Sequence, residues 1–312
     1  MSPVKMMVFG AAALALAAGC KGDEAGGQGA AAEATPPGAT REAPSEAPEV
    51  EEEVRIVTLG GTASEIAFAL GHGDEVVGVD ASSAYPAEVD AKPKLGYFRK
   101  ISPEGVLALE PTLVIAQEGV GPQTAIDQIK AAGVAFEVLP EAEDLEGAVA
   151  RIELMGEKLG EQEKASRLVA TLRADVAEAT RRREAAKSTP RALFIYARGP
   201  NMTNVMGEGT SAARMFTLAG IENAVSVDGF KPLTPESVIQ AAPDVLVLPT
   251  KGAQSVGGEE GVLKLPGVAQ TPAGKERDLV LVDDLMLLGF GPRFGKALLE
   301  LQEKTGVVGE GG

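Results

Sequence analysis

The chain has 312 residues, a net charge of −16, 45% hydrophobic residues, one cysteine, one histidine and no tryptophan. Such an acidic balance argues against nucleic acid or an anionic membrane face as partner, because holding phosphates takes clustered Lys and Arg. A lone Cys excludes an intrachain disulfide, and with a single His beside it the ligand set is too small for an iron–sulfur cluster or a multi-histidine metal centre.

Residues 1–19 place one Lys ahead of a small-residue apolar run, the pattern of a secretory signal and too short for a mature transmembrane helix. The run Leu16-Ala17-Ala18-Gly19 leads into Cys20 and resembles the lipobox of bacterial lipoproteins, in which the new N-terminal Cys is acylated. The expectation is a protein anchored to a membrane and not spanning it; the alternative is a stray Cys in a leader cut elsewhere. Residues 20–53 are rich in Ala, Gly, Pro and Glu and hold too little apolar surface to offset ordering entropy, so they read as a flexible tether.

From there strands and helices alternate. Arg55 to Leu59 is a β-branched strand running into Gly60-Gly61-Thr62; a helix over Ser64 to Leu70 stops at Gly71 and Gly73, and Val76-Val77-Gly78-Val79 is the next strand. Residues 161–187 form the longest helical stretch, with Ala165, Leu168, Val169, Leu172, Val176 and Ala179 on one stripe and no Gly or Pro from Gly160 to Pro190. Arg181-Arg182-Arg183, the only basic cluster, falls on this helix as a solvated face. Beyond it the opening recurs: a strand over Ala192 to Tyr196, a helix over Thr210 to Leu218 stopped by Gly220, and a short strand from Ala224-Val225. Alternation of this kind implies parallel sheets.

One segment occurs twice. Residues 95–116 align without a gap on residues 227–248 at an offset of 132, so that Pro103 matches Pro235, Glu104 matches Glu236, Val106 matches Val238 and Pro111 matches Pro243. A period of that length is a lobe and not a solenoid unit. The expected architecture is therefore α/β: two similar lobes with central, mostly parallel sheets over residues 54–160 and 189–308, joined by one long spine helix over 161–188, with a ligand cleft between the lobes.

Taken in order, Gly60-Gly61-Thr62-Ala63-Ser64-Glu65-Ile66, Gly78-Val79-Asp80, Ser83-Ala84-Tyr85-Pro86-Ala87-Glu88, Gly96-Tyr97-Phe98-Arg99, Gly207-Glu208-Gly209-Thr210, Leu265-Pro266-Gly267 and Leu288-Gly289-Phe290-Gly291-Pro292-Arg293 carry a resemblance. Residues 54–306 resemble a helix-spined substrate-binding protein of an ABC importer, and within that group the periplasmic haem-binding proteins. The resemblance implies that Tyr97 is the axial ligand of ferric haem. The chemistry agrees, since phenolate is a hard anionic donor suited to Fe(III), although its ordinary pKa near 10 requires help from the metal and a cation. Arg99 is the expected cation, aiding the phenolate or pairing with a haem propionate. A packing role for Tyr97 and a solvated one for Arg99 are the competing readings.

Within the repeat Tyr97 aligns with Gly229 and Arg99 with Lys231, so the site is expected to be asymmetric. The sole histidine, His72, sits at a helix end away from the expected cleft; a second-lobe His ligand, used by some relatives, is missing. That disfavours stacked haems and favours a five-coordinate iron, or one completed by a softer or weaker group. Met202, Met206, Met286 and Phe290 are expected along the cleft wall. The resemblance also implies that Glu104 and Glu236 engage arginines of the importer's permease dimer, as glutamates at this place do in the vitamin B12-binding member; the competing reading is simple helix capping.

The resulting expectation is a monomeric, lipid-anchored extracytoplasmic receptor that carries ferric haem as cargo to an ABC importer and catalyses nothing. The nearest rivals are the same fold holding a ferric siderophore or cobalamin, and, from another class, a chelatase or cluster-bearing reductase, whose His, carboxylate or Cys sets are not present.

Overall fold

The β-branched run Ile-Val-Thr-Leu favours an extended, buried conformation, and it forms the first central strand of a computed structural model that describes residues 53–307. The predicted signal peptide, Cys20 and nearly all of the predicted tether lie outside the described residues. In the first half the elements are β1 (Ile56–Leu59), α1 (Gly61–Ala69), β2 (Val76–Val79), α2 (Pro103–Leu107), β3 (Leu113–Ala116), α3 (Gln123–Ala131), β4 (Ala135–Val138), α4 (Leu145–Lys158) and α5 (Gln162–Ala185). The second half holds β5 (Arg191–Ala197), β6 (Thr203–Met206), α6 (Ser211–Ala219), β7 (Glu222–Asn223), β8 (Phe230–Pro232), α7 (Pro235–Ala241), β9 (Val245–Pro249), α8 (Thr250–Ser255), α9 (Gly258–Leu263), α10 (Pro272–Glu276), β10 (Leu279–Val282), α11 (Asp284–Leu288) and α12 (Phe294–Thr305).

The first lobe is built on a fully parallel sheet in the order β2-β1-β3-β4. The second carries the order β10-β9-β5-β6-β8, in which β10, β9 and β5 run parallel while β6 and β8 are antiparallel to their neighbours. The antiparallel addition has a local cause. Only five residues, Arg198 to Met202, separate β5 from β6; they close on themselves through Met202 N donating to Gly199 O at 3.1 Å, and a connection this short cannot make a parallel crossover. The short strand expected from Ala224-Val225 lies instead at Glu222–Asn223, where Glu222 and Asn223 pair with Arg191 and Ala192.

The duplicated segment folds the same way in both copies. Ser102 caps α2 by accepting from Gly105 N, and Thr234 caps α7 by accepting from Ser237 N, each followed by Pro at the first helical position. Between the lobes, α5 runs for 24 residues, about 36 Å at 1.5 Å per residue. Ala165, Val169, Leu172 and Ala179 are buried on its inner face, and Leu168 and Val176 pack partly against the same core. That core extends from β1 and α1 through α4 and α5 to α6 and α12, so the spine belongs to the hydrophobic interior of both halves and is no detached linker.

Candidate functional site

The loops that leave the C-terminal ends of the parallel strands converge on one cleft of about 620 Å³, within the usual size range of a small-ligand site. From the first lobe come Gly61 and Thr62 after β1, Ala81, Ser82 and Ala84 after β2, Tyr97 and Phe98, and Gln117 after β3. From the second come Tyr196 and Arg198 at the end of β5, Lys251 after β9, and Asp284, Leu285, Leu288 and Gly289 after β10.

The floor is held by a buried carboxylate. Asp80, fully buried, accepts from Gly60 N at 3.0 Å, Ser82 N at 3.0 Å and Ser83 Oγ at 2.9 Å, and Ser82 Oγ donates to it at 2.8 Å while accepting from Gly61 N at 3.0 Å. Four donors on one carboxylate leave it satisfied without a counter-ion. Gly60 turns the chain here at φ +118°, and a Cβ at this position would lie 2.5 Å from the Gln117 Cβ, so the close approach of the two strand ends requires glycine.

Tyr97 presents its ring to this space. It is 49% exposed, stands edge-on to Phe98 with centroids 4.9 Å apart, and its hydroxyl makes no hydrogen bond among the described residues. Arg99 does not accompany it. Phe98–Lys100 form a 3₁₀ turn, on which Arg99 lies exposed, its guanidinium 4.9 Å from the Phe98 centroid and its Nη1 donating to Gly119 O at 3.4 Å; it is not part of the cleft lining. The cations that do face the cleft are Arg198 and Lys251. The Arg198 guanidinium lies 4.5 Å over the Tyr196 ring and 3.3 Å from the Asp284 carboxylate, and the Lys251 ammonium has no ion pair among the described residues.

The cleft therefore has an aromatic phenol on each wall and its positive charge on the second lobe. None of Tyr196, Arg198, Lys251, Gln117 or Asp284 was among the sequence-derived candidates. For Tyr196 and Gln117 the signal is position, since Tyr196 ends and Gln117 follows a strand predicted from its apolar run; Arg198 and Lys251 lie within three residues of such strands, while β10, which precedes Asp284, has no counterpart among the predicted strands.

The expected apolar wall is placed otherwise. Phe290 is 1% exposed and packs on Phe294 at 4.8 Å between centroids, so it is core and not cleft. Met202 is exposed on the turn between β5 and β6, Met206 ends β6 opposite Phe230, and Met286 packs partly against the core from α11; none lines the cleft. His72 lies beyond α1 at the opposite, N-terminal edge of the sheet, 3.9 Å from Glu75 and 3.7 Å from Glu161.

Glu104 and Glu236 are both exposed in the first turns of α2 and α7, at equivalent places on the two lobes. Glu104 accepts from Ser102 Oγ at 2.8 Å, and that hydrogen bond holds its carboxyl below the usual range. Beneath the cleft Glu65 is buried, and burial pushes its carboxyl up while the hydrogen bond and charge of Arg293 pull it back.

Comparison with known proteins places this geometry. The model of the periplasmic binding protein family matches residues 56–285. An uncharacterized ABC transporter substrate-binding lipoprotein of Bacillus subtilis is 29% identical over 253 residues, spanning 80% of this chain and 79% of that protein. The vitamin B12-binding protein of Pectobacterium atrosepticum is 26% identical over 201 residues, 62% of this chain and 71% of its own length. Among solved structures, the apo periplasmic heme-binding protein RhuT of Roseiflexus sp. RS-1 superposes with a TM-score of 0.77 at 43% identity, covering 81% of this chain and 98% of that one. The periplasmic heme-binding protein BhuT in complex with two hemes gives 0.75 at 37% identity, covering 80% and 97%. No helix among the described residues is long and apolar enough to cross a membrane.

Proposed function

Because the chain belongs to the periplasmic binding protein family, whose members are substrate-binding transport proteins, we propose that it is an extracytoplasmic receptor that takes ferric haem into the interlobe cleft and hands it to an ABC importer. The observation that carries the reading is the Tyr97 phenol, exposed to the cleft with no hydrogen-bond partner among the described residues, opposite a wall that bears Arg198 and Lys251. A phenolate is a suitable axial donor for Fe(III), and two cations suit the two carboxylates of a haem edge. The heme-binding neighbours at 43% and 37% identity support the same cargo.

In this scheme Tyr97 binds the iron from the first lobe, the porphyrin lies across Phe98 and Tyr196, and the propionates reach Arg198 and Lys251. Arg99 acts on Tyr97 only through Phe98 and the turn they share. Tyr196 supplies a second phenol on the opposite wall, so a six-coordinate iron is open to this cleft despite the absence of a second-lobe His. Glu104 and Glu236 dock the permease dimer, and acylated Cys20 ties the receptor to the membrane by residues 20–53.

Titrating the purified protein with hemin, cobalamin and a ferric siderophore in parallel, and following the visible spectrum, tests the cargo. Saturable spectral change with hemin alone is the expected result; saturable binding of cobalamin or siderophore without hemin would replace haem with that ligand.

A further inference from the structure

Below the cleft a guanidinium of the second lobe reaches into the first. Arg293, at the N-cap of α12 in the second lobe, donates from Nε to Glu65 Oε1 at 2.9 Å and from Nη2 to Glu65 Oε2 at 3.3 Å and to Asp283 Oδ1 at 3.1 Å. Its Cζ lies 3.6 Å from the centroid of the Tyr85 ring. Glu65 is 2% exposed, and the Arg293 side chain 16%.

Each of these three partners belongs to a segment that also forms a cleft wall. Glu65 lies one helical turn beyond Gly61 and Thr62 on α1; Asp283 immediately precedes Asp284 and Leu285; Tyr85 immediately follows Ala84. Around the guanidinium the packing leaves little play. A Cβ on Gly291 would meet Thr62 Cγ2 at 3.2 Å, and Gly289 O accepts from Thr62 Oγ1 at 3.1 Å and from Arg151 Nη1 at 2.9 Å.

A planar fork fixes two directions in its plane, and stacking on an aromatic ring fixes a third above it, which a flexible ammonium cannot do. We infer that Arg293 is a positioning residue that sets the spacing and register of the two cleft walls, so that the Tyr97 side and the Arg198–Lys251 side meet a ligand at a fixed separation. Arg293 reaches no cleft ligand itself. Its effect passes through Glu65 to the first-lobe floor and through Asp283 to the second-lobe wall. This assignment concerns the walls and holds for whichever ligand the cleft takes.

The test reads wall separation without ligand. In the full chain carrying Cys20→Ser, paired spin labels at Gln128→Cys on α3 and Gln240→Cys on α7, both exposed, report the interlobe distance distribution. The parent should give one narrow distribution, and Arg293→Met and Arg293→Lys a distribution at least twice as broad, with unchanged circular dichroism. A distribution as narrow as the parent's in both variants overturns the assignment. Should Arg293→Met fail to fold, Glu65→Gln and Asp283→Asn preserve shape, remove one carboxylate each, and carry the same measurement. In the hemin-loaded protein the off-rate should rise about tenfold in the variants, because walls whose spacing is no longer fixed are less preorganised for the ligand. An off-rate equal to the parent's overturns the link between wall spacing and ligand retention.

Discussion

Neutralising the two cations of the second-lobe wall is the perturbation that most directly separates a haem site from an apolar cleft that merely accommodates a flat molecule. A fully desolvated charged hydrogen bond contributes about 1.5–3 kcal/mol and an exposed ion pair about 0.2–1 kcal/mol. Arg198 is 42% exposed and already shares the Asp284 carboxylate at 3.3 Å, and Lys251 is exposed, so each belongs near the lower figure, about 1 kcal/mol. At 1.4 kcal/mol per tenfold, Arg198→Gln and Lys251→Gln should each weaken hemin binding about fivefold, and the double variant about thirtyfold. The assay is a visible titration with hemin and with its dimethyl ester, which keeps the ring and iron and lacks both carboxylates. The parent should prefer the diacid by about the same thirtyfold, and the double variant should not distinguish the two ligands. Added salt should narrow the parent's preference, because these pairs are only partly buried. Equal loss of affinity for acid and ester in the double variant would refute the carboxylate assignment, since it would place the effect in cleft shape or in the Arg198 contact with Tyr196.

Tyr97→Phe should abolish the phenolate-to-iron charge-transfer band of the hemin complex and weaken binding, and an unchanged spectrum removes Tyr97 as ligand. Glu104→Lys with Glu236→Lys should leave hemin affinity intact while preventing stimulation of the cognate importer; normal stimulation in reconstituted membranes removes the docking role. Glu65 has a carboxyl pushed by burial above its ordinary 4.5, so the folded protein binds more protons than the unfolded chain from that value up to the raised one, and stability falls as pH rises through the window. Thermal melts should therefore show a steeper loss with pH in the parent than in Glu65→Gln, and parallel curves would refute the shift. Cys20→Ser should release a soluble haem binder, measured by membrane fractionation, and continued attachment would refute lipidation.

Much of the fold was legible because the duplicated segment repeats its physics along with its letters. Ser102-Pro103 and Thr234-Pro235 each announce a capped helix start, and the apolar run after Pro111 or Pro243 has to extend, so α2, β3, α7 and β9 could be placed at the same offset. Tyr97 was legible as a cleft residue through the resemblance. Arg99 was not, because two-residue spacing fixes direction only when the backbone is known: a strand would have kept both side chains on one face, whereas the 3₁₀ turn at Phe98–Lys100 carries Arg99 to Gly119. Phe290 misled for a related reason. Its φ of +46° re-aims a side chain that a loop beside two glycines would be expected to show to solvent, and the ring enters the core against Phe294.

The repeat also accounts for how the two walls differ. Phe98 and Phe230 are equivalent in the repeat, yet Phe98 is 6% exposed and Phe230 is 66% exposed. In the first lobe the segment forms a 3₁₀ turn over Phe98–Lys100, which tucks Phe98 into the core and leaves Tyr97 beside it on the cleft. In the second it forms β8, paired to β6 with Met206 opposite Phe230, and all three residues of that strand are exposed. The second lobe offers no phenol from this segment, because Gly229 stands where Tyr97 does in the first. Its phenol and cation come instead from the end of β5, where Tyr196 and Arg198 flank Ala197 and the short turn to β6 begins. The two walls of the cleft therefore draw on different places in the repeat: the first lobe on the segment before α2, the second on the end of β5 where the hairpin to β6 begins.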